Sequence, residues 1–183
     1  MLKILVGLLT ISYPFVVYFA IDSVQPRYLA LCLTAFFLLR WQQQGLRRRG
    51  MGVDLAILAP ISVLFLAVVG LTNDANLLLG YPVLVSALFF GVFFYSVLNP
   101  PSIAEKLARL QEPNLPPRGV AYTRKVTQVW CLFFAANGLV AAATVWYGDR
   151  WLWSVYNGCI AYVLMGILMG TELLIRRKVK RTF

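Results

Sequence analysis

Basic residues in this chain are concentrated at one set of ends of its hydrophobic runs. When six apolar segments are read, all but two of the 17 Lys and Arg residues lie at ends that would share one side of a membrane. The exceptions, Arg27 and Arg150, lie on the other side, beside Asp22, Asp74 and Asp149. Lys and Arg are retained on the cytoplasmic side of multi-pass membrane proteins, so this asymmetry indicates such a protein. It predicts location and topology more directly than any motif in the chain.

Composition supports the same class. Hydrophobic residues make up 60% of the 183 residues and aromatic residues 14%, which is too apolar for a soluble domain of this length. The net charge of +10 is also seen in nucleic-acid-binding proteins, but here the charges flank apolar runs, where they meet anionic headgroups at roughly 1 kcal/mol each. We therefore expect membrane lipids and no nucleic acid as partners. The three cysteines lie within apolar segments, so a disulfide framework is not expected.

The predicted fold class is all-α, a polytopic integral membrane helical bundle that forms a single domain over residues 1–183. Its six predicted transmembrane helices pair into three hairpins with short outer loops. They span residues 4–21, 28–41, 53–71, 77–98, 126–146 and 151–174, and a cytoplasmic loop occupies residues 99–125. Lys3 and the basic C-terminal tail flank spans on the basic side, which predicts that both termini are cytoplasmic.

The second predicted segment is the shortest. About 14 residues reach only ~21 Å at helical rise, so a re-entrant or interfacial placement stays open. A five-crossing topology with the N-terminus outside gives the same charge asymmetry, because Arg27 then exchanges sides with Lys3. Six crossings also place the α-amino group inside, and Arg40 and Trp41 can snorkel to extend the short span. We therefore favour six crossings.

Two outer loops have distinctive sequences. Thr72–Asn76 predicts a tight polar turn between spans three and four. The loop Tyr147–Arg150 joins spans five and six and is bracketed by Trp146, Trp151 and Trp153. These tryptophans are expected to form half of an aromatic belt at the outer interface.

The cytoplasmic loop contains a predicted amphipathic helix. Ser102 followed by Glu105 forms a capping box, and Pro113 ends the helix. Apolar residues repeat at helical spacing and are expected to lie on the membrane or the bundle, with basic residues opposite. The apolar positions are Ile103, Leu107 and Leu110, and the basic ones are Lys106 and Arg109. This helix is either an interfacial connector or a docking surface for a cytoplasmic partner or a lipid headgroup.

The second half of the loop is predicted to be extended over Leu115–Gly119, because proline disfavours helix at the residue before it. Basic and hydroxyl groups then enter span five near the headgroup level. They can bind a phosphate through charge-assisted hydrogen bonds, or serve simply as topology anchors. The candidate partner or headgroup contacts of the loop are Lys106, Arg109, Arg118, Tyr122, Arg124 and Lys125.

Asn137 and Asn157 are a candidate polar pair within the membrane. Spans five and six are antiparallel, so the two amides differ in depth by only roughly 5 Å. Polar groups in lipid must be satisfied internally, so the amides are expected to bond to each other or to line one ligand-contacting cavity. Gly166 and Gly170 form a small-xxx-small motif, which permits close approach of another helix and hence an oligomer.

No catalytic, cofactor-binding or metal-binding residue is predicted. The sequence has no His, which is the usual general base and the commonest metal ligand. It also has no Gly-rich phosphate loop, HExxH motif or GxSxG motif. A chain of intramembrane carboxylates, as a proton-coupled pump needs, is missing too. An enzyme is therefore not the favoured interpretation.

Two stretches of the second half carry a family resemblance. They read PPSIAEKLARLQEPNLPPRGVAYTRKVTQVWCLFFAANG and YNGCIAYVLMG, and a basic tail follows. With these elements the chain resembles, best over residues 81–177, an uncharacterised bacterial inner-membrane protein family. Genes of that family often accompany those for aryl polyene biosynthesis, beside acyl carrier proteins, ketosynthases and acyltransferases. The resemblance implies a bacterial inner-membrane location and an accessory role where a carrier-bound acyl or polyene chain is transferred to a lipid.

Three functions are consistent with these features. The leading hypothesis is a non-catalytic accessory protein that docks a soluble biosynthetic partner, such as an acyl carrier protein, or holds a lipid-like product at the cytoplasmic leaflet. Acyl carrier proteins are acidic and would suit the basic inner surface. The alternative is a small transporter or flippase for a lipid or polyene, with a cavity around Asn137 and Asn157. A membrane acyl- or glycosyltransferase is third, because His is missing and acidic residues are sparse.

Overall fold

A computed structural model describes residues 15, 18–19, 24–32, 34–35 and 58–180 of the chain. In these ranges the regular elements are helices and there is no strand, so the all-α fold class is confirmed. The helices from residue 58 onward are α1 (Leu58–Thr72), α2 (Ala75–Leu79), α3 (Tyr81–Leu98), α4 (Ile103–Arg109), α5 (Pro117–Tyr147), α6 (Arg150–Val155) and α7 (Ala161–Lys180). A π-helical turn, Tyr156–Ile160, connects α6 to α7.

Three described helical runs are long and apolar enough to cross a membrane. They are Tyr81–Leu98, Pro117–Tyr147 and Arg150–Val179, and they correspond to predicted spans four, five and six. The third run consists of α6, the π-turn and most of α7. A shorter apolar helix, Pro60–Thr72, lies in predicted span three. Most of predicted spans one and two lies outside the described residues.

The two ends of these runs differ in side-chain character. We call the end that carries Arg118, Arg124 and Arg176 the basic end, and the opposite end, which carries Trp146 and Trp151, the tryptophan end. The Trp146 and Trp151 side chains are 93% and 59% exposed, as belt residues would be.

The start of predicted span four is interrupted. Residues 77–79 belong to α2, and α3 begins only at Tyr81, after Gly80. Pro82 lies in the first turn of α3, where the missing N–H of proline is tolerated. The apolar run continues through this break, which Gly80 and Pro82 mark in the sequence. The crossing helix is therefore shorter than the predicted 77–98.

Helix α5 begins earlier than predicted. The expected extended conformation of Leu115–Gly119 is wrong for its second half, since Pro117 is the first residue of α5. The fixed φ of proline suits the first helical position, and only the residue before it, Pro116, is extended. A Cβ added to Gly119 would lie 2.9 Å from the Leu115 side chain, so glycine lets the entering chain fold against the first turn. Span 126–146 is thus the later part of one long helix.

Helices α3 and α5 form an antiparallel interface that brings small, polar and aromatic residues together. The facing pairs, in order toward the basic end, are Ser86–Asn137, Phe89–Phe134 and Phe93–Trp130. Beside the first pair, a Cβ added to Gly138 would lie 3.1 Å from the Ser86 Cβ, so glycine permits this close approach. The rings of the second pair stack with centroids 5.0 Å apart, a geometry that adds to the gain from burial alone.

A compact apolar core lies at the tryptophan end. Its buried members are Ala30, Leu66, Val69, Leu78, Leu79 and Trp153. The Trp153 side chain is 1% exposed, and its indole N–H donates to the Leu79 carbonyl at 3.0 Å. The expectation that Trp153 belongs to the interfacial belt is therefore wrong, because its polar N–H finds a partner inside the protein.

Described residues of the first two predicted segments contact the remaining helices. A Cβ added to Gly158 would lie 2.6 Å from the Phe15 ring, so glycine in the π-turn makes room for that ring. The Arg27 N–H donates to the Asn73 side chain at 3.1 Å and ties the predicted outer turn to the residues before the second segment. Asn73 has a left-handed conformation with φ of 55°, which asparagine tolerates in turns.

Candidate functional site

The predicted amphipathic helix of the loop is α4, and Ser102 is its N-cap. The Ser102 hydroxyl accepts a bond from the Glu105 N–H at 3.4 Å, which confirms this half of the capping box. The Glu105 side chain turns to Arg109 and makes a 2.8 Å ion pair one turn further on. Since Glu105 is only 5% exposed, Arg109 neutralises a nearly buried charge. Arg109 also donates to the Pro113 carbonyl at 3.1 Å, beyond the end of the helix.

Side chains of two other helices bind the first amides of α4. The Ile103 N–H donates to the Ser96 hydroxyl of α3 at 3.1 Å. The next amide, of Ala104, donates to the Thr127 hydroxyl of α5 at 3.2 Å. Amides of a first helical turn have no partner within their own helix, so each of these bonds also fixes the helix in place. Helix α4 is therefore docked on α3 and α5 at a defined position.

Of the three apolar residues expected on the membrane or the bundle, one packs on the bundle. Ile103 and Ala108 are buried, as expected for the first of them. Leu107 and Leu110, which were expected on the same face as Ile103, are 48% and 61% exposed within the protein. The two leucines therefore form an apolar patch on the outer surface of α4, next to Lys106.

Two of the candidate basic contacts are bound within the protein. Arg109 pairs with Glu105, and the Arg124 guanidinium donates to the Val97 carbonyl at the end of α3 at 3.4 Å. Lys106 is half-buried on α4. Part of the predicted basic surface thus forms hydrogen bonds and ion pairs within the protein.

Tyr122 and Arg176 join the basic ends of three elements. The Tyr122 hydroxyl donates to the Glu172 carbonyl of α7 at 3.4 Å. The Arg176 guanidinium donates to the side-chain oxygen of Gln111, just after α4, at 3.3 Å. The start of α5, the end of α4 and the last turns of α7 therefore meet here.

Arg118 and Lys125 complete the set of candidate contacts. Both are exposed, and they lie four residues before and three residues after Tyr122 on α5. Residues at these spacings share one face of a helix. Arg118, Tyr122 and Lys125 therefore form one row, separate from the patch on α4.

Within the apolar part of the protein, Asn137 lies in a chain of hydrogen bonds that crosses three elements. The Tyr156 hydroxyl donates to the Asn137 oxygen at 3.1 Å, and the Asn137 amide donates to the Ser86 hydroxyl at 3.0 Å. Ser86 in turn donates to the Pro82 carbonyl at 2.9 Å. Both ends of the Asn137 side chain are thus satisfied, as an amide in a lipid-surrounded bundle requires.

Asn157 has different partners. Its amide nitrogen donates to the Trp153 carbonyl at 2.9 Å and to the Thr144 hydroxyl at 3.3 Å. The expected hydrogen bond between Asn137 and Asn157 is thus not among those that either side chain makes. The Asn157 oxygen is buried and has no hydrogen-bond partner among the residues that the structure describes. Asn157 is also the second residue of the π-turn, a kind of helical distortion that is often found at functional sites.

Three partners of these amides were not predicted from the sequence: Ser86, Thr144 and Tyr156. Each is a hydroxyl residue within an apolar run, and such residues can bond locally to their own helix, as Ser86 and Thr144 also do. In the sequence these three residues are therefore marked as possible hydrogen-bond partners by their hydroxyl groups alone. The partner of each hydroxyl depends on how its helix is rotated and on its depth relative to the neighbouring helix, and only the structure gives these two quantities.

Among the residues that the structure describes, no group of three His, Cys, Asp or Glu side chains is placed to share a metal ion. Comparisons of the chain with protein-family models, curated proteins and solved structures gave no match.

Proposed function

We propose that this chain is a non-catalytic accessory protein of a bacterial inner membrane, which docks an acidic soluble partner on the surface of α4. In this proposal six spans place both termini in the cytoplasm and put the basic end on the cytoplasmic side. The charge asymmetry of the sequence supports that orientation. An acyl carrier protein is the partner that the sequence resemblance suggests.

The observation that carries this proposal is the fixed position of α4. A connector needs only to span the distance between α3 and α5, whereas α4 is bonded to Ser96 of one and to Thr127 of the other. A helix held in this way presents its outer surface without a large ordering cost on binding. That surface combines Lys106 with the exposed Leu107 and Leu110. A lysine next to an apolar patch suits an acidic partner that carries an apolar group.

A capture experiment tests the docking surface. We would combine Lys106→Glu with Leu110→Ser in the full chain, reconstitute it in nanodiscs, and measure binding of purified acyl carrier protein. Arg109 is left unchanged because it neutralises Glu105. The matched control is Arg177→Glu with Leu174→Ser on α7, which makes the same chemical changes on another exposed helix.

We expect the α4 variant to weaken capture at least about ten-fold while the control retains it, and wild-type capture to fall as salt rises. Equal capture by the α4 variant and wild type, with both correctly inserted, would rule out this surface.

The buried Asn157 oxygen supports the second candidate, a lipid or polyene transporter. An unpaired carbonyl in an apolar core is costly, and a hydroxyl or amide of a passing ligand would satisfy it. The test is movement of a fluorescent lipid between leaflets of reconstituted vesicles. Wild-type activity that disappears in Asn157→Leu would favour transport over docking.

A further inference from the structure

One face of α5 is exposed along almost its whole length. The residues of this face recur at alternating steps of four and three. Tyr122 is half-buried, and the other members are exposed. These are Arg118, Lys125, Val129, Leu132, Ala136, Leu139, Ala143 and Trp146. Leu132 and Leu139 are 72% and 73% exposed within the protein. Such a continuous apolar row on a crossing helix is suited to contact lipid chains.

The spacing along this face matches a bilayer. From Lys125 to Trp146 the helix rises by roughly 32 Å, close to the ~30 Å of a hydrocarbon core. A basic residue at one boundary and a tryptophan at the other are the usual interfacial anchors. On this face the hydrocarbon core therefore extends from Lys125 to Trp146, and the turn of α5 before Lys125 lies in the headgroup layer.

Arg118 lies about 10 Å beyond Lys125 along the helix, and the headgroup region on each side of a bilayer is roughly 5–8 Å thick. Lys125 therefore lies at the edge of the headgroup layer that faces the hydrocarbon core, and Arg118 lies just beyond the edge that faces water. The two cations bracket the depth at which lipid phosphates lie. Both side chains share the helix face of Leu132 and Leu139, so they lie above the lipids that contact that face.

Two other arginines of the basic end are bonded to groups of the protein. The Arg124 guanidinium reaches the Val97 carbonyl, and the Arg176 guanidinium reaches Gln111. Tyr122, between Arg118 and Lys125, is held by its bond to the Glu172 carbonyl of α7. Helix α7 therefore lies beside the middle of the row and fixes Tyr122.

We propose that Arg118 and Lys125 bind the phosphate of an anionic phospholipid whose acyl chain lies along Val129 and Leu132. Charge complementarity selects an anion, and the continuous apolar face below it selects a lipid over a soluble acidic protein. This inference rests on the membrane placement proposed above, but it is independent of partner docking on α4.

Native mass spectrometry of the full chain, supplied with equal amounts of phosphatidylglycerol and phosphatidylcholine, tests the site. The test variant combines Arg118→Gln with Lys125→Gln. The matched control combines Arg177→Gln with Lys178→Gln, which removes the same charge from exposed positions of α7. Thermal unfolding of all three proteins checks that the changes leave the fold intact.

We expect wild type and control to retain phosphatidylglycerol preferentially, and the test variant to lose at least about five-fold of that preference. An unchanged preference in the test variant, or an equal loss in the control, would overturn the proposal. If the test variant keeps its preference for phosphatidylglycerol but no longer binds acyl carrier protein, the proposal is also overturned, because the row would then bind the soluble partner. Because the docking experiment changes α4 alone, the two proposals can fail separately.

Discussion

The Asn137 amide donates to the Ser86 hydroxyl at 3.0 Å, beside the place where Gly138 brings α5 against α3. The polar contact and the close helix approach therefore occur at the same level of the interface. On the other side of α5, the Tyr156 hydroxyl reaches the same amide. Asn137 thus links α5 to two neighbouring elements.

Asn137 and Ser86 should be energetically coupled. We expect a double-mutant cycle of Asn137→Leu and Ser86→Ala in bilayers to give a coupling of about 0.6 kcal/mol, and up to ~1.7 kcal/mol. The corresponding cycle of Asn137→Leu with Asn157→Leu should be additive, because these amides have different partners. Coupling between the two asparagines comparable to that with Ser86 would contradict the bonding described here.

Gly138 should not tolerate a larger side chain. A Cβ at this position would lie 3.1 Å from the Ser86 Cβ, so Gly138→Val should push α3 and α5 apart and cost about 1–3 kcal/mol. Gly91→Val on α3 is the matched control, since a Cβ there meets no heavy atom of the described residues within 4 Å. Thermal unfolding in detergent measures both variants. Equal destabilisation would show that the tight contact at Gly138 is not the cause.

Arg109 should be needed because Glu105 is nearly buried. Arg109→Leu leaves that carboxylate without its ion-pair partner, and we expect a loss of about 1–2 kcal/mol because Arg109 is itself partly exposed. The measurement is hydrogen exchange of the α4 amides, which should become faster as this helix loses stability. Adding Glu105→Leu should restore protection, whereas failure of this rescue would show that the pair has another role.

The Trp153 indole should contribute to stability through its N–H. In Trp153→Phe the Leu79 carbonyl loses a buried donor, and we expect a loss of about 1–3 kcal/mol including the smaller ring. Trp146→Phe changes an indole that is 93% exposed and should leave unfolding in detergent almost unchanged. Similar melting shifts in the two variants would argue against the buried bond.

Long apolar runs were sufficient to predict the three helical runs that could cross a membrane, α3, α5 and α6 to α7, because crossing a bilayer demands length and hydrophobicity in one place. The break at Gly80 was missed, since the residues on both sides of it are apolar. The sequence analysis places Trp153 at the interface because it lies close to a loop. In the structure α6 directs Trp153 into the core, where its N–H bonds to the Leu79 carbonyl. The Ser102 cap was predictable because its partner, the Glu105 N–H, lies three residues further along the chain.

The location of the candidate residues could be predicted from the sequence, whereas their individual contacts could not. The six candidates at the basic end do lie near one end of the bundle, but Arg109 and Arg124 are bound to the protein, while Arg118 and Lys125 remain exposed. Sequence spacing places residues on a helix face. It does not fix the rotation of that face relative to a neighbouring helix, which decides whether a charge meets protein, lipid or water.

The caps of α4 also bear on how the chain is assembled during synthesis. Ser96 precedes α4 in the chain, whereas Thr127 follows it and emerges from the ribosome later. Until α5 has been inserted beside α3, the Ala104 amide lacks its native acceptor, so α4 cannot settle in its final position. The surface of α4 therefore forms only after the two flanking helices have paired, and a partner that recognises it binds only chains in which α5 is already in place.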